Sequence, residues 1–294
     1  MLIHEIIKET GLTKKAIAYY IRQGIIQPEQ SENGYRIFTN DDAAVLKQVA
    51  ALRRLSLDLA EIKKVLADKS GEALRKIVLK RELRDESAQA KTALLLRLAK
   101  DGDYAAISSE LEAISASETI LEKLLFAFPG YYGRMLALHF SPYLYEPVET
   151  DAQRKAAGTI IDFLDNMPPV EFPDDVKGFL DTIQQDYSNE AIRQISAAQK
   201  KNIANIDKFL AENKAAVSGY LEFKESDEYK ESPVSKLADI LKAFYQSSGY
   251  YDVLIPAMKQ LSGAYSEYSR QIEIANKKLL EQYPEAGRLD GTHQ

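Results

Sequence analysis

Apolar residues recur every three or four positions along almost the whole chain, and extended signals are confined to one short stretch near the amino terminus. Ile3, Ile6 and Ile7 mark a first short helix. Ala16, Ile17, Tyr20 and Ile21 mark a second, opened by the N-cap residue Thr13 and stopped by Gly24. Two short extended runs follow, Gln27-Pro28-Glu29 and Tyr35-Arg36-Ile37-Phe38. The Asn33-Gly34 pair between them predicts a tight hairpin, because both central positions of such a turn need positive φ. Thr39 then caps a helix with Ala43, Leu46, Val49 and Leu52 on one face, and Asp58 caps another with Leu59, Ile62, Val65 and Leu66. Helix, turn, helix and two-stranded wing together predict a winged helix-turn-helix, a build that lays its second helix in a DNA major groove.

Residues 72–100 read as one long helix whose row Leu79, Leu83, Ala90, Leu94, Leu98 is interrupted by Ser87, a patchy seam. Asp101-Gly102-Asp103 ends it, and 104–127 is helical again. Beyond lie predicted helices near 130–140, 151–166, 174–186, 189–217, 233–247 and 250–283, separated by Pro and Gly punctuation. The last has the cleanest period, with Leu254, Met258, Leu261, Tyr265, Tyr268, Ile272, Ala275 and Leu279 on one narrow face. The predicted fold is all-α with a small two-stranded wing: an amino-terminal winged helix-turn-helix, a long helix and a carboxy-terminal helical bundle.

Several blocks, in order, resemble the MerR family of transcription regulators. They are Ala16-Ile17-Ala18-Tyr19-Tyr20, Gly24-Ile25-Ile26-Gln27-Pro28 and Gly34-Tyr35-Arg36-Ile37-Phe38, with Thr10-Gly11-Leu12-Thr13 upstream and Phe38-Thr39 with Asp41-Asp42 downstream. The resemblance covers about the first 70 residues. It implies a DNA-binding domain over 1–70, an antiparallel dimerisation helix over 71–100, and an all-helical effector-binding domain over 101–286, ahead of a tail at 287–294. It also implies a homodimer on a pseudo-palindromic operator in double-stranded DNA, acting at the promoter with RNA polymerase. The expected DNA-binding residues are Thr13, Lys14, Lys15, Tyr19, Tyr20, Arg22, Tyr35 and Arg36, with Arg53 and Arg54 on a second wing. Two positions depart from the family pattern. Ala18 stands where an Arg is usual, and Ile21 where an acid is usual.

The net charge of −6 fits a DNA binder only once the chain is divided. Residues 1–66 carry ten Lys and Arg against eight Asp and Glu, leaving about −8 on the remainder. There is no cysteine, so neither disulfides nor thiolate metal sites exist. Relatives that sense metals or oxidants use cysteine near the end of the long helix, so the resemblance without cysteine favours an organic effector. No signal-peptide layout or membrane-length apolar run is present, and a cytoplasmic location is the expectation.

The carboxy-terminal region is rich in tyrosine. Phe128, Tyr131, Tyr132, Tyr143 and Tyr145 form one cluster in sequence, and Tyr245, Tyr250, Tyr251, Tyr265 and Tyr268 another. Such rings suit either a pocket for an aromatic or amphipathic ligand or the interior of the bundle. Arg134, Glu146 and Glu149 are the nearby charges. His4, His139 and His293 lack metal-ligand companions, and His139 reads as a packing residue. With no nucleophile elbow and no phosphate-cradling loop, the sequence predicts neither catalysis nor a cofactor. The alternative to an effector domain is a protein-interaction or dimer-supporting module.

Overall fold

The structure, a computed structural model, describes residues 1–287 apart from 32, 129 and 169 and the side chains of 184–186. His293 and most of the expected tail lie outside the described residues. The chain divides into two compact units, Met1–Ile77 and Val78 onward.

In the first unit, α1 (Ile3–Thr10) and α2 (Lys14–Arg22) are joined through Gly11, whose φ of 68° is the left-handed conformation glycine tolerates. Thr13 caps α2 by accepting from the Ala16 amide at 3.1 Å. Strands β1 (Glu29–Gln30) and β2 (Arg36–Ile37) pair antiparallel, with Glu29 opposite Ile37 and Gln30 opposite Arg36. The connection is longer than the tight turn predicted. Ser31 to Tyr35 bridge the strands, the Ser31 amide donates to the Tyr35 carbonyl at 2.8 Å, and only Gly34 takes positive φ there among the described residues. Helices α3 (Asn40–Arg54) and α4 (Leu59–Ala67) start at capping boxes on Thr39 and Asp58. Their predicted inward faces meet Ile6, Ile17 and Phe38 in one core, with Leu46, Val49 and Ile62 fully buried.

The division between units falls within α5 (Glu72–Asp101). Helices α6 (Ser108–Ala127), α7 (Gly130–Phe140), α8 (Asp151–Asn166), α9 (Asp174–Asp186) and α10 (Asn189–Ala204) follow. Next come α11 (Ile206–Glu212), α12 (Lys214–Glu225), α13 (Asp227–Lys230) and α14 (Pro233–Ser247). After a π-turn at Tyr250–Leu254, α15 (Ile255–Leu261) and α16 (Gly263–Gln282) complete the unit. The main core gathers α6, α7, α8 and α15 around Ile120, Leu124, Phe128, Ile160 and Met258. Gly133 is required there, because a Cβ on it would sit 2.4 Å from the Phe128 carbonyl oxygen.

Two long helices expected from periodicity are interrupted. The run 189–217 breaks at Asn205 and Asn213, whose side-chain amides each donate to the carbonyl four residues back at 2.9 Å and so cap one helix where the next begins. The run 250–283 breaks at Ser262 (φ −125°, ψ 120°), which caps α16 by accepting from the Tyr265 amide. Its predicted face survives the break, since Leu254, Met258, Leu261, Tyr265, Tyr268 and Ala275 are all buried.

The predicted seam of α5 also turns inward. Leu79, Leu83, Ser87 and Leu94 are buried, and Leu79 and Leu83 pack on Leu121, Leu124 and Leu125 of α6. Lys80–Glu122, Lys91–Glu118 (2.7 Å) and Arg97–Glu110 (2.6 Å) fix the antiparallel register of this helix pair. A second apolar set, Leu74, Val78, Leu95 and Leu96, is left exposed on α5. Among the described residues no helix is long and apolar enough to cross a membrane.

Candidate nucleic-acid interface

The amphipathic pattern of α2 turns Ile17 and Tyr20 into the core and leaves Lys14, Lys15, Tyr19 and Arg22 outward, with Ala18 between them and partly exposed. The wing stands beside that outward face. Between them lies a concavity of about 470 Å³ whose walls include Lys14, Ala18 and Ile21 of α2 and Tyr35 and Arg36 of the wing. Tyr35 is 69% exposed. Cations and exposed tyrosines on one side of a helix and hairpin form a surface that can take phosphates and stack or hydrogen-bond along a nucleic-acid backbone.

The expected contacts divide on this surface. Lys14, Lys15, Tyr19, Arg22, Tyr35 and Arg36 are exposed and face solvent. Thr13 is engaged as the α2 cap. Tyr20 is buried and meets Tyr19 edge-on at 5.6 Å. Arg53 donates to the Leu57 carbonyl at 2.9 Å across the turn at Ser56 (φ 62°), while Arg54 is exposed.

In the second unit the ten candidate rings mostly fill the interior. Tyr143 stacks on Tyr268 (5.7 Å, 25°), with Tyr265 5.3 Å from Tyr143 and His139 5.7 Å from Tyr268. Lys200 Nζ lies 4.3 Å above the Tyr143 ring. Phe128 meets Tyr132 at 5.6 Å, and Tyr245 meets Tyr250 at 4.2 Å. Burial pushes the hydroxyls of Tyr143, Tyr245 and Tyr250 well above the ordinary tyrosine range. Each adjacent pair splits as helical geometry requires: Tyr132 and Tyr250 point in, Tyr131 is half-buried and Tyr251 is exposed. Tyr145 borders a cleft of about 260 Å³ between α5 and α6.

Two of the three nearby charges, Arg134 and Glu146, are tied into the fold. Arg134 is wholly buried and donates to Asn189 Oδ1 at 2.9 Å. Glu146 accepts from the Gly263 and Ala264 amides at 2.8 and 3.0 Å, closing the start of α16. Sequence spacing gave no signal for that role, since the partners are 117 residues apart. Among the described residues no group of three or more His, Asp or Glu is placed to hold a metal ion.

A winged helix-turn-helix with a cationic, tyrosine-bearing outer face defines the class of this amino-terminal unit. Residues 1–69 match the MerR HTH family regulatory protein family. The chain is 30% identical over 131 residues to the HTH-type transcriptional regulator CueR of Escherichia coli O6:H1, an alignment spanning 44% of this chain and 84% of that protein. It is 39% identical over 62 residues to CueR of Salmonella typhi (21% and 45% of the two chains). It is 35% identical over 65 residues to the mercuric resistance operon regulatory protein of Bacillus cereus (22% and 49%). The chain belongs to the MerR HTH family. Through its amino-terminal part it spans about half the length of several of these relatives. No solved structure matches it.

Proposed function

We propose that this protein is a DNA-binding transcription regulator that grips a pseudo-palindromic promoter operator as a homodimer. The concavity between α2 and the wing, edged by Lys14, Tyr35 and Arg36, carries the reading. A strand backbone running through it meets cations from both sides while α2 enters the major groove. The test is selection of duplexes from a random pool followed by salt titration. Arg36→Ala should weaken operator binding about tenfold and lower the salt slope by about one counterion for each subunit. An unchanged slope would count against the wing as a phosphate contact.

The outward apolar set on α5 supports the homodimer. Leu74 and Val78 lie near one end of the helix and Leu95 and Leu96 near the other, and the last two are 63% and 69% exposed. Antiparallel pairing of two such helices sets each apolar end against the other copy's opposite end. Parallel pairing would instead oppose Arg81 to Arg81 across the seam. Changing Leu95 and Leu96 to Glu should weaken the dimer by about four orders of magnitude or more in sedimentation experiments, since the two copies together bury four such leucines, each worth about 1.5–3 kcal/mol. A variant that stays dimeric would move the interface elsewhere.

In this reading the helical unit takes a small organic effector, whose binding shifts the dimer between two geometries seen by RNA polymerase at the promoter. Because the tyrosines are mostly packed on one another, the better-supported place is a cleft of about 360 Å³ lined by Phe209, Val217, Tyr220, Leu221 and Leu279, a size and lining suited to such a molecule. A second reading, that the unit docks another protein, is favoured by Phe126, which is 90% exposed on α6. A thermal-shift screen with small molecules separates the two, because only an effector site raises stability in proportion to ligand saturation.

A further inference from the structure

The outward face of α2 has an apolar position at its centre, Ala18, that is neither charged nor hydrogen-bonding. Ala18 sits one turn from Lys14 on one side and one turn from Arg22 on the other, so it occupies the middle of the surface proposed to enter the groove. It is partly exposed and lines the concavity between α2 and the wing together with Ile17 and Ile21. The floor of the concavity beside α2 is therefore apolar, and its edges carry Lys14, Tyr35 and Arg36.

We propose that Ala18, backed by Ile21, reads the 5-methyl group of a thymine in each half-site, an inference that rests on the DNA-binding reading above. A strand that places its phosphates on Lys14 and Arg36 passes its base edges over this floor. The methyl of a thymine projects from the groove edge nearest its own backbone, where such a floor would meet it. Of the base edges in the major groove, only thymine offers an apolar group. Guanine or adenine would set N7 against Ala18 and lose a water partner with no side-chain donor to replace it, and cytosine would set only its C5–H there, without the methyl.

The experiment uses the full chain and an operator obtained by selection from random duplexes. Each thymine is then replaced singly by deoxyuridine, which removes the methyl and nothing else. One thymine in each half-site should show about fourfold weaker binding on replacement, the worth of one buried methyl group. Ala18→Ser keeps the size but sets a hydroxyl against the methyl, and should cut that penalty to less than about twofold. Ala18→Arg should move the selected base at the same position from thymine to guanine, which arginine contacts through O6 and N7. Penalties below about 1.5-fold at every thymine, or a fourfold penalty persisting in Ala18→Ser, would overturn the thymine readout. An enriched operator without methyl dependence would leave the DNA-binding reading standing. A pool that never enriches would overturn both.

Discussion

Replacing Arg134 with Ala should destabilise the helical unit by on the order of 4 kcal/mol, the largest effect expected of any single substitution in it. Arg134 lies on α7 with no exposed surface. Its guanidinium donates to Asn189 Oδ1 at 2.9 Å and to the Tyr187 carbonyl at 3.4 Å, and its Cζ lies 5.8 Å from the Tyr131 ring centroid. The chain of contacts continues outward. Asn189 Nδ2 donates to Glu82 of α5 at 3.3 Å, and Arg193 pairs with Glu82 and Glu86 at 3.0 and 3.4 Å. Truncation leaves the Asn189 and Tyr187 acceptors without this donor at a largely buried site, and adds a cavity the size of a long side chain. Arg134→Met fills most of the volume and should recover roughly half the loss. Arg193→Ala, at the solvent end of the same chain, should cost less than about 1 kcal/mol. Urea unfolding of the full chain, following the transition of the helical unit, measures all three. A loss below about 1 kcal/mol for Arg134→Ala would mean that water replaces the guanidinium.

The contrast between Arg134 and Arg36 shows which parts of this protein were legible in its sequence. The winged helix-turn-helix is written locally: Thr13, Thr39 and Asp58 cap the helices that follow them, and Ile17 and Tyr20 fall inward by spacing alone. Arg36 is outward because the wing is two residues wide on each strand and exposed on both. Arg134 reads as one more charge near a helix start, and only the arrival of α10 buries it. The same limit explains α5, whose sequence holds two apolar rows. Spacing picks out Leu79, Leu83 and Leu94, but whether a row faces its own subunit or a second copy depends on where α6 returns. The breaks at Asn205, Asn213 and Ser262 were signalled more weakly, by short polar side chains that compete for backbone groups without the hard stop of proline. The aromatic pairs show a further distinction. Adjacent residues on a helix point about 100° apart, so Tyr19 and Tyr20 must separate into outward and core positions, as Tyr131 and Tyr132 do.

Lowering the pH from 7 to 5 should weaken the helical unit by about 2 kcal/mol through His139 alone, a loss that His139→Phe removes. The ring is half-buried on α7, with Phe140 at 5.0 Å, Tyr268 at 5.7 Å, Tyr143 at 6.2 Å and Tyr265 at 6.5 Å. Burial among these rings, with a smaller contribution from the Lys200 ammonium, holds its pKa down to about 4. The unfolded chain protonates this imidazole near pH 6.5, while the folded protein keeps it neutral until about 4. Between those values the unfolded state binds the extra proton, so stability rises with pH; it is fully present above 6.5 and drains away as pH falls toward 4. The other groups around the ring do not obscure the window. Tyr143, Tyr265 and Tyr268 stay protonated throughout because burial raises their pKa values. Lys200 is lowered, but from 10.5, so it is charged in both states there. Carboxylates such as Glu118, held low first by its hydrogen bond from Lys91, begin to matter only below about pH 5. Urea midpoints at pH 7, 6 and 5 for the wild-type chain and His139→Phe therefore isolate one proton. Parallel pH dependences in the two proteins would show that the imidazole is hydrated, and that Tyr143, Tyr265 and Tyr268 do not close around it.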